Sequence, residues 1–276
     1  MKNKKIAVLL TCYNRREKTL SCLRALYRCA LPENHILDVF LVDDGSSDGT
    51  GQAINEEFPA VHVIPGNGQL YWTRGMYLAW KTASSIKCFD FYLWLNDDTY
   101  LFQNALDVLI NASTAMDHKS IVVAATCSQN DGLLTYSAFK PNGTMISPTD
   151  QLEEAATFNG NCVLIPIYVY NRVGNLDPLF WHSIGDIDYG ARAQKKGIQS
   201  FLAPGFLAHC EGHTSLPLWC LAEVPFWKRL ASLYSPLGNS QPYYFFCYEL
   251  RHFGLVLAIK HFLSIHLRVT FPKLWK

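Results

Sequence analysis

The chain carries little charge for its size and has no apolar run long enough to cross a bilayer. Charged residues make up 17% of its 276 positions against 49% hydrophobic ones, a balance that excludes a disordered chain. No stretch reaches the roughly 18 consecutive apolar residues of a membrane span. The opening KNKKIAVLLTCYNRR has a basic start, but Ile6 to Leu10 is too short for the apolar core of a secretion signal. Nine cysteines occur with no Cys-x-x-Cys pair and no regular spacing, which argues against a disulfide framework or a zinc cluster and for reduced, cytosolic usage. Internal repeats and low-complexity tracts are absent. A nucleic-acid partner is not expected, since no recognition motif is visible and the net excess of positive charge lies in the tail.

Aromatic residues, by contrast, are plentiful at 13%, including 7 Trp, enough to suggest ring-lined binding surfaces. The net charge of +1 hides an asymmetry: Glu223 to Lys276 holds seven Lys/Arg and two acids, a net of +5, which leaves −4 for the preceding residues. The length suits one main domain with an appendage. The expected location is the cytoplasm; the basic, aromatic C-terminal region reads equally as a peripheral contact with the inner face of the cell membrane and as a helical appendage packed on the main domain or on a second subunit. A homo-oligomer is compatible with the same region.

Lys5 to Leu10, Val39 to Val42 and Val61 to Ile64 read as short buried strands, separated by amphipathic helical segments. Strand, helix, strand, helix, strand is the rhythm of a parallel sheet with right-handed crossovers, hence an α/β, Rossmann-like fold. A glycine-containing loop, Pro65 to Gly75, precedes a helix over about Met76 to Ser84. Next comes FYLWLNDDTYLF, Phe91 to Phe102, a strand that ends on Asn96, Asp97 and Asp98. Carboxylates there sit at the edge where open α/β sheets bind ligands, and oxygen ligands suit Mg²⁺ or Mn²⁺. Taken alone, the same residues read as an Asp-rich turn and helix cap.

Further strands are expected at Ile121 to Thr126, Val163 to Pro166 and Phe201 to Ala203, with a β-hairpin excursion between Ser128 and Glu154. Asp186 and Asp188 lie at the start of a helix read over Ala191 to Lys196, and by themselves they could merely complement its dipole. The C-terminal stretch reads as a helical run over about Tyr243 to Ser264.

In this order the pieces TCYNR, LVDDGSSDGT, NGQLYWTRGM, WLNDDT, FNGNCVLIP, GDIDYGARAQKKG and AHCEGHTS resemble the family 2 nucleotide-sugar glycosyltransferases of GT-A fold. The branch is that of rhamnosyltransferase-like enzymes of bacterial surface polysaccharides. The resemblance implies a catalytic domain over residues 1–215, its nucleotide-sugar half spanning about 1–100 and its acceptor half about 101–215, followed by a helical extension over 216–276. It implies an inverting, metal-dependent transfer from a nucleoside-diphosphate sugar to a glycan or polyprenyl-diphosphate-linked glycan. Thr11, Tyr13 with Asn14, and Asp44 match positions that hold the nucleotide base; Asn67, Gly68, Trp72 and Arg74 match the loop beside ribose, diphosphate and donor sugar. Asn96, Asp97 and Asp98 match the family's metal motif, with Asn96 where an acid is usual, Asp97 turned toward the ribose or a metal-bound water and Asp98 as direct ligand. Asp186 matches the general base, with Gly185 replacing the preceding Glu. His209 matches a late histidine that approaches the metal, and Trp181, His182 and Asp188 are the expected acceptor contacts. Two alternatives remain at this level: a non-catalytic nucleotide-sugar or glycan-binding protein of transferase ancestry, and a sugar nucleotidyltransferase, although the Gly-rich basic phosphate loop of the latter is absent.

Overall fold

The computed structural model describes residues 3–212, 215–238 and 240–274; His213 and Lys276, both part of the sequence reading, lie outside them. Three βα units open the chain: β1 (Lys4–Cys12), α1 (Arg16–Arg28), β2 (His35–Asp43), α2 (Thr50–Glu57), β3 (His62–Pro65) and α3 (Tyr71–Ile86). β4 (Phe91–Leu95), β5 (Tyr100–Leu101), α4 (Ala105–Ala115) and β6 (Ile121–Cys127) follow. Four short strands come next, β7 (Leu134–Tyr136), β8 (Ala138–Phe139), β9 (Glu153–Ala155) and β10 (Thr157–Phe158). β11 (Cys162–Pro166), α5 (Ile167–Val173), α6 (Gly185–Gln194) and β12 (Ser200–His209) complete the sheet region, and α7 (Phe226–Leu233), α8 (Pro242–His252) and α9 (Leu255–Thr270) form the C-terminal extension.

The main sheet runs β3-β2-β1-β4-β11-β6-β12-β5, with β7 on β6 and β9 on β12. β3, β2, β1 and β4 are parallel neighbours, β11 is inserted antiparallel between β4 and β6, and β6 and β12 are again parallel. Helices cover both faces, so the central strands are apolar throughout: all five residues of β4 and all seven of β6 are buried. Alternate residues serve opposite faces. Ile6, Val8 and Leu10 join Leu20, Leu23 and Leu26 of α1 and Leu109 of α4. Ala7 and Leu9 join Met76 and Trp80 of α3 and Tyr189 of α6.

Three local expectations change. The residues from Ser128 to Glu154 do not form one hairpin; β7 pairs with β6, β9 with β12 and β8 with β10, each antiparallel. The helix read over Ala191 to Lys196 runs from Gly185 to Gln194, and Asp186 and Asp188 lie in its first turn as expected at its start. The C-terminal run is broken at Gly254, whose φ of 93° ends α8 and lets α9 turn back against it.

The extension is joined to the sheet region by a buried charge cluster. Asp188 has no exposed surface and accepts from Arg192 Nε (2.8 Å) and from Arg251 Nη1 (2.8 Å), with His252 Nε2 at 2.9 Å. Arg251 also donates to Asp177 through Nη2 at 2.7 Å. Burial opposes ionisation of Asp188, but these donors hold its carboxyl below the ordinary range. The expectation of Asp188 as an acceptor contact is therefore corrected: its carboxylate is consumed in fixing α8 to α6. Phe180, Ile184 and Tyr244 form the apolar part of the same joint. Arg251→Met should lower unfolding stability by about 1.5–3 kcal/mol, the contribution of hydrogen bonds to a charged group, measured by urea denaturation; an unchanged midpoint would show that the joint carries no stability.

Candidate functional site

The carboxyl ends of β1, β2 and β4 bring three loops together. Asn14 (φ 49°) bridges the first two: its backbone N–H donates to Ser46 Oγ at 2.9 Å and its Oδ1 accepts from Ser47 N at 2.7 Å. Tyr13, beside it, is 53% exposed, so its ring offers an open stacking face. Thr11 fills the notch left by Gly75 of α3, where a Cβ would come within 2.2 Å of Thr11 Oγ1.

Asp44 shapes the next loop. Its carboxylate is buried and accepts three backbone N–H groups, from Gly68 (2.9 Å), Leu70 (2.8 Å) and Tyr71 (3.0 Å). This corrects the picture of a carboxylate free to meet a nucleotide base: Asp44 acts as the anchor of the loop. The two loops touch backbone to backbone, since a Cβ at Gly45 would lie 3.1 Å from Gly68 N and one at Gly66 would strike Asp44 Oδ1 at 2.6 Å. Gly68 takes a φ of 80° there, and exposed Asn67 closes a small turn by accepting from Gln69 N at 3.0 Å.

At the end of β4 the three polar residues diverge. Asn96 Oδ1 accepts from Trp72 Nε1 at 2.6 Å. Asp97 turns inward, where it meets Arg15 Nη1 at 2.9 Å and Thr19 Oγ1 at 3.3 Å; this corrects the expectation that it faces a ribose or a metal-bound water. Asp98 keeps 24% of its side chain exposed and meets Arg15 Nη2 at 2.5 Å. Burial pushes the Asp97 carboxyl up to about 7, although Arg15 opposes the shift. Arg15 was missed by the sequence reading. It stands at the cap position of α1 without capping it, and its guanidinium spans both acids.

His209 does not join Asp98. Side chains alternate along a strand, and the residue that reaches Asp98 Oδ1 is the next one, Cys210, with Sγ at 3.8 Å. The His209 ring packs edge-on against Phe102 at 4.7 Å, and its Nδ1 lies 3.5 Å from Cys127 Sγ. The expectation of His209 as a metal ligand is thus corrected. Among the described residues no group of three or more His, Cys, Asp or Glu is arranged to hold a metal. The donor set still fits one kind of cation, because Mg²⁺ and Mn²⁺ commonly take one or two protein carboxylates and complete their shell with water and substrate phosphate. Asp98 is the partly exposed carboxylate that could serve.

Asp186 faces this edge from α6. Its Oδ2 accepts from Gly160 N at 2.9 Å and its Oδ1 from Ile187 N at 2.9 Å. Burial raises its carboxyl above the ordinary value while the two amides pull the other way, which favours a proton acceptor. Gly160, also missed as a site residue, has a reason in sterics: a Cβ would lie 2.7 Å from the Trp72 ring and 3.2 Å from Asp186. Gly185 has one too, since a Cβ would lie 2.5 Å from the Thr73 side chain. Glu at that position has no room, so its absence follows from contact with α3. Ile184, at φ 77°, starts α6 in the left-handed region that β-branched residues avoid.

Trp181 and His182 meet the start of α3 through their backbone, Trp181 O accepting from Thr73 N (3.0 Å) and His182 O from Thr73 Oγ1 (2.9 Å). Arg74 lies 4.0 Å from the Trp181 ring and donates through Nε to Pro178 O at 2.8 Å. Tyr71 and Tyr244 flank the same indole at 5.8 and 6.3 Å.

The strand ends of this mostly parallel sheet gather a buried loop anchor, an acid pair and a separate carboxylate on a helix, at the edge where open α/β sheets bind ligands. The family described as Glycosyltransferase like family 2 matches residues 3–221, and the chain belongs to it. The mannosyltransferase PcManGT from Pyrobaculum calidifontis, solved with GDP-Man and Mn²⁺, superposes with a TM-score of 0.58 at 14% identity over 98% of this chain and 71% of that one. S. aureus TarS 1–349 gives 0.58 at 13% over 97% and 72%, and its complex with UDP gives 0.55 at 15% over 91% and 72%. These likenesses establish the GT-A-type fold. No curated protein matches the chain.

Asp97 generates a pH dependence. An unfolded aspartate ionises near 4, whereas the folded one holds its proton up to about 7. The group's contribution to stability is therefore fully present at low pH and is lost as pH rises between those values. The melting temperature of the wild type should fall relative to that of Asp97→Asn between about pH 4 and 7; parallel curves would assign Asp97 an ordinary titration.

Proposed function

We propose that the protein is an inverting glycosyltransferase that moves a hexosyl or deoxyhexosyl group from a nucleoside-diphosphate sugar to a hydroxyl of a lipid-linked glycan, in bacterial surface polysaccharide synthesis. The observation that carries this reading is the Asp186 carboxylate, held by two backbone amides and raised by burial, on a helix opposite the loops of β1, β2 and β4. Residues 1–215 act as the catalytic domain and 216–276 as its extension.

Tyr13 stacks on the base, while Thr11, Asn14, Asn67 and Gly68 line the nucleotide loop that Asp44 holds. Arg74 donates through Nε to Pro178 O, and its positive charge offsets the negative charge of the donor diphosphate. Asp98 is the carboxylate that would hold Mg²⁺ or Mn²⁺; when bound, the cation offsets charge gathering on the leaving diphosphate. Mn²⁺ with GDP-Man in the mannosyltransferase and UDP in TarS support a donor of this class. The acceptor hydroxyl gives its proton to Asp186 as its oxygen attacks the anomeric carbon and the bond to the diphosphate breaks. One displacement with one base inverts that carbon. A cytoplasmic enzyme with peripheral contact at the membrane face suits an acceptor carried on lipid.

Asp186→Asn should reduce transfer by about 10²–10⁴, the usual worth of a general base, with donor affinity retained in calorimetry. Asp98→Ala should weaken donor and Mn²⁺ binding together. Full transfer by the Asp186 variant would remove the proposed base, and a wild type that neither turns over nor binds any member of a nucleotide-sugar panel would remove the whole reading.

A further inference from the structure

α9 has two apolar sides. Ala258, Ile265 and Val269 are buried toward the rest of the extension. On the opposite side Val256 (85% exposed), Leu263 (61%), Leu267 (51%) and Ile259 (45%) form a second stripe, at the i, i+3, i+7 spacing that keeps residues on one helix face. A helix apolar all round is normally covered on both sides, and nothing in the described chain covers this one.

Charge decides what does. Lys260 lies within the exposed stripe and Lys273 just beyond its end, both exposed. The chain from Leu250 to Leu274 contains no Asp or Glu. A second copy laid symmetrically on this face would set these lysines against one another, with no acid in the helix to offset them. A surface of anionic lipid headgroups supplies the missing negative charge and receives the apolar side chains beneath it. α9 has 16 residues, about 24 Å of helix against a hydrocarbon core of about 30 Å, and no described helix is long and apolar enough to cross a membrane. The helix would therefore lie in the plane of the interface.

We infer that the outer face of α9 is an in-plane docking helix for an anionic membrane surface. This extends the reading of a lipid-linked acceptor, and it gives the joint at Asp188 a purpose: α8, which neighbours α9, is fixed through Arg251 to the helix that carries Asp186.

The test is co-flotation of the full chain with vesicles of phosphatidylcholine alone or with added phosphatidylglycerol, alongside sedimentation velocity without lipid. A monomer that partitions at least about tenfold better into anionic vesicles, with loss in high salt, is expected, since each basic group near such a surface contributes several-fold. Val256→Glu combined with Leu263→Glu should abolish flotation, and Lys260→Glu with Lys273→Glu should abolish the preference for anionic lipid. Both variants alter outward side chains, and an unchanged melting temperature checks their folding. Absence of flotation by the wild type, or a stable dimer that the Val256/Leu263 variant dissociates, would overturn the inference. Binding of nucleoside-diphosphate sugars, measured separately, tells failure of the docking surface from failure of the transferase reading.

Discussion

The indole of Trp72 is wedged between the two halves of the site, and the geometry of both halves depends on it. Its N–H is tied to Asn96 at the end of β4, and its ring presses on Gly160, whose backbone N–H holds Asp186. Edge-on contact with buried Trp94 fixes it from below, at 5.9 Å between ring centres. The acid motif on the sheet and Asp186 on α6 are thereby spaced through one rigid ring. Transfer chemistry needs that rigidity, because a base acts on a hydroxyl only when both are held within hydrogen-bond reach.

Seen through that wedge, the two departures from the family pattern lose their strangeness. Asn96 gives Trp72 an acceptor without adding a negative charge beside Asp97 and Asp98. Gly185 makes room for Thr73, the next residue along α3. The cost in acids is offset elsewhere: Arg15 pairs with both remaining carboxylates, so the edge is less negative than its sequence suggests. Asp188 and Arg251 extend the same framework outward, tying the helix of Asp186 to the C-terminal extension.

Much of this was legible in the sequence because short apolar runs that end on polar residues mark the carboxyl edges of parallel strands. β1, β2, β4 and β6 were visible on that basis, and so was the convergence of their loops. The roles of individual carboxylates were harder to read. Sequence shows that Asp44, Asp97 and Asp188 are acids; only packing reveals that each is buried and consumed by its own neighbours. His209 failed for a related reason, since the alternation of β12 gives Asp98 the adjacent Cys210. Arg15 was hidden because its partners lie more than 80 positions away, and the early start of α6 because Ile184 enters it with a conformation that no propensity favours.

The central claim is that the edge shared by β1, β2 and β4, with the loop frozen by Asp44, receives a nucleoside diphosphate. Calorimetric titration of UDP- and GDP-sugars in the presence of Mn²⁺, with wild type and Asp44→Ala, measures this directly. The account predicts saturable binding of at least one donor by the wild type and its loss in a variant that remains folded. Equal binding by both proteins, or none by the wild type, would contradict it.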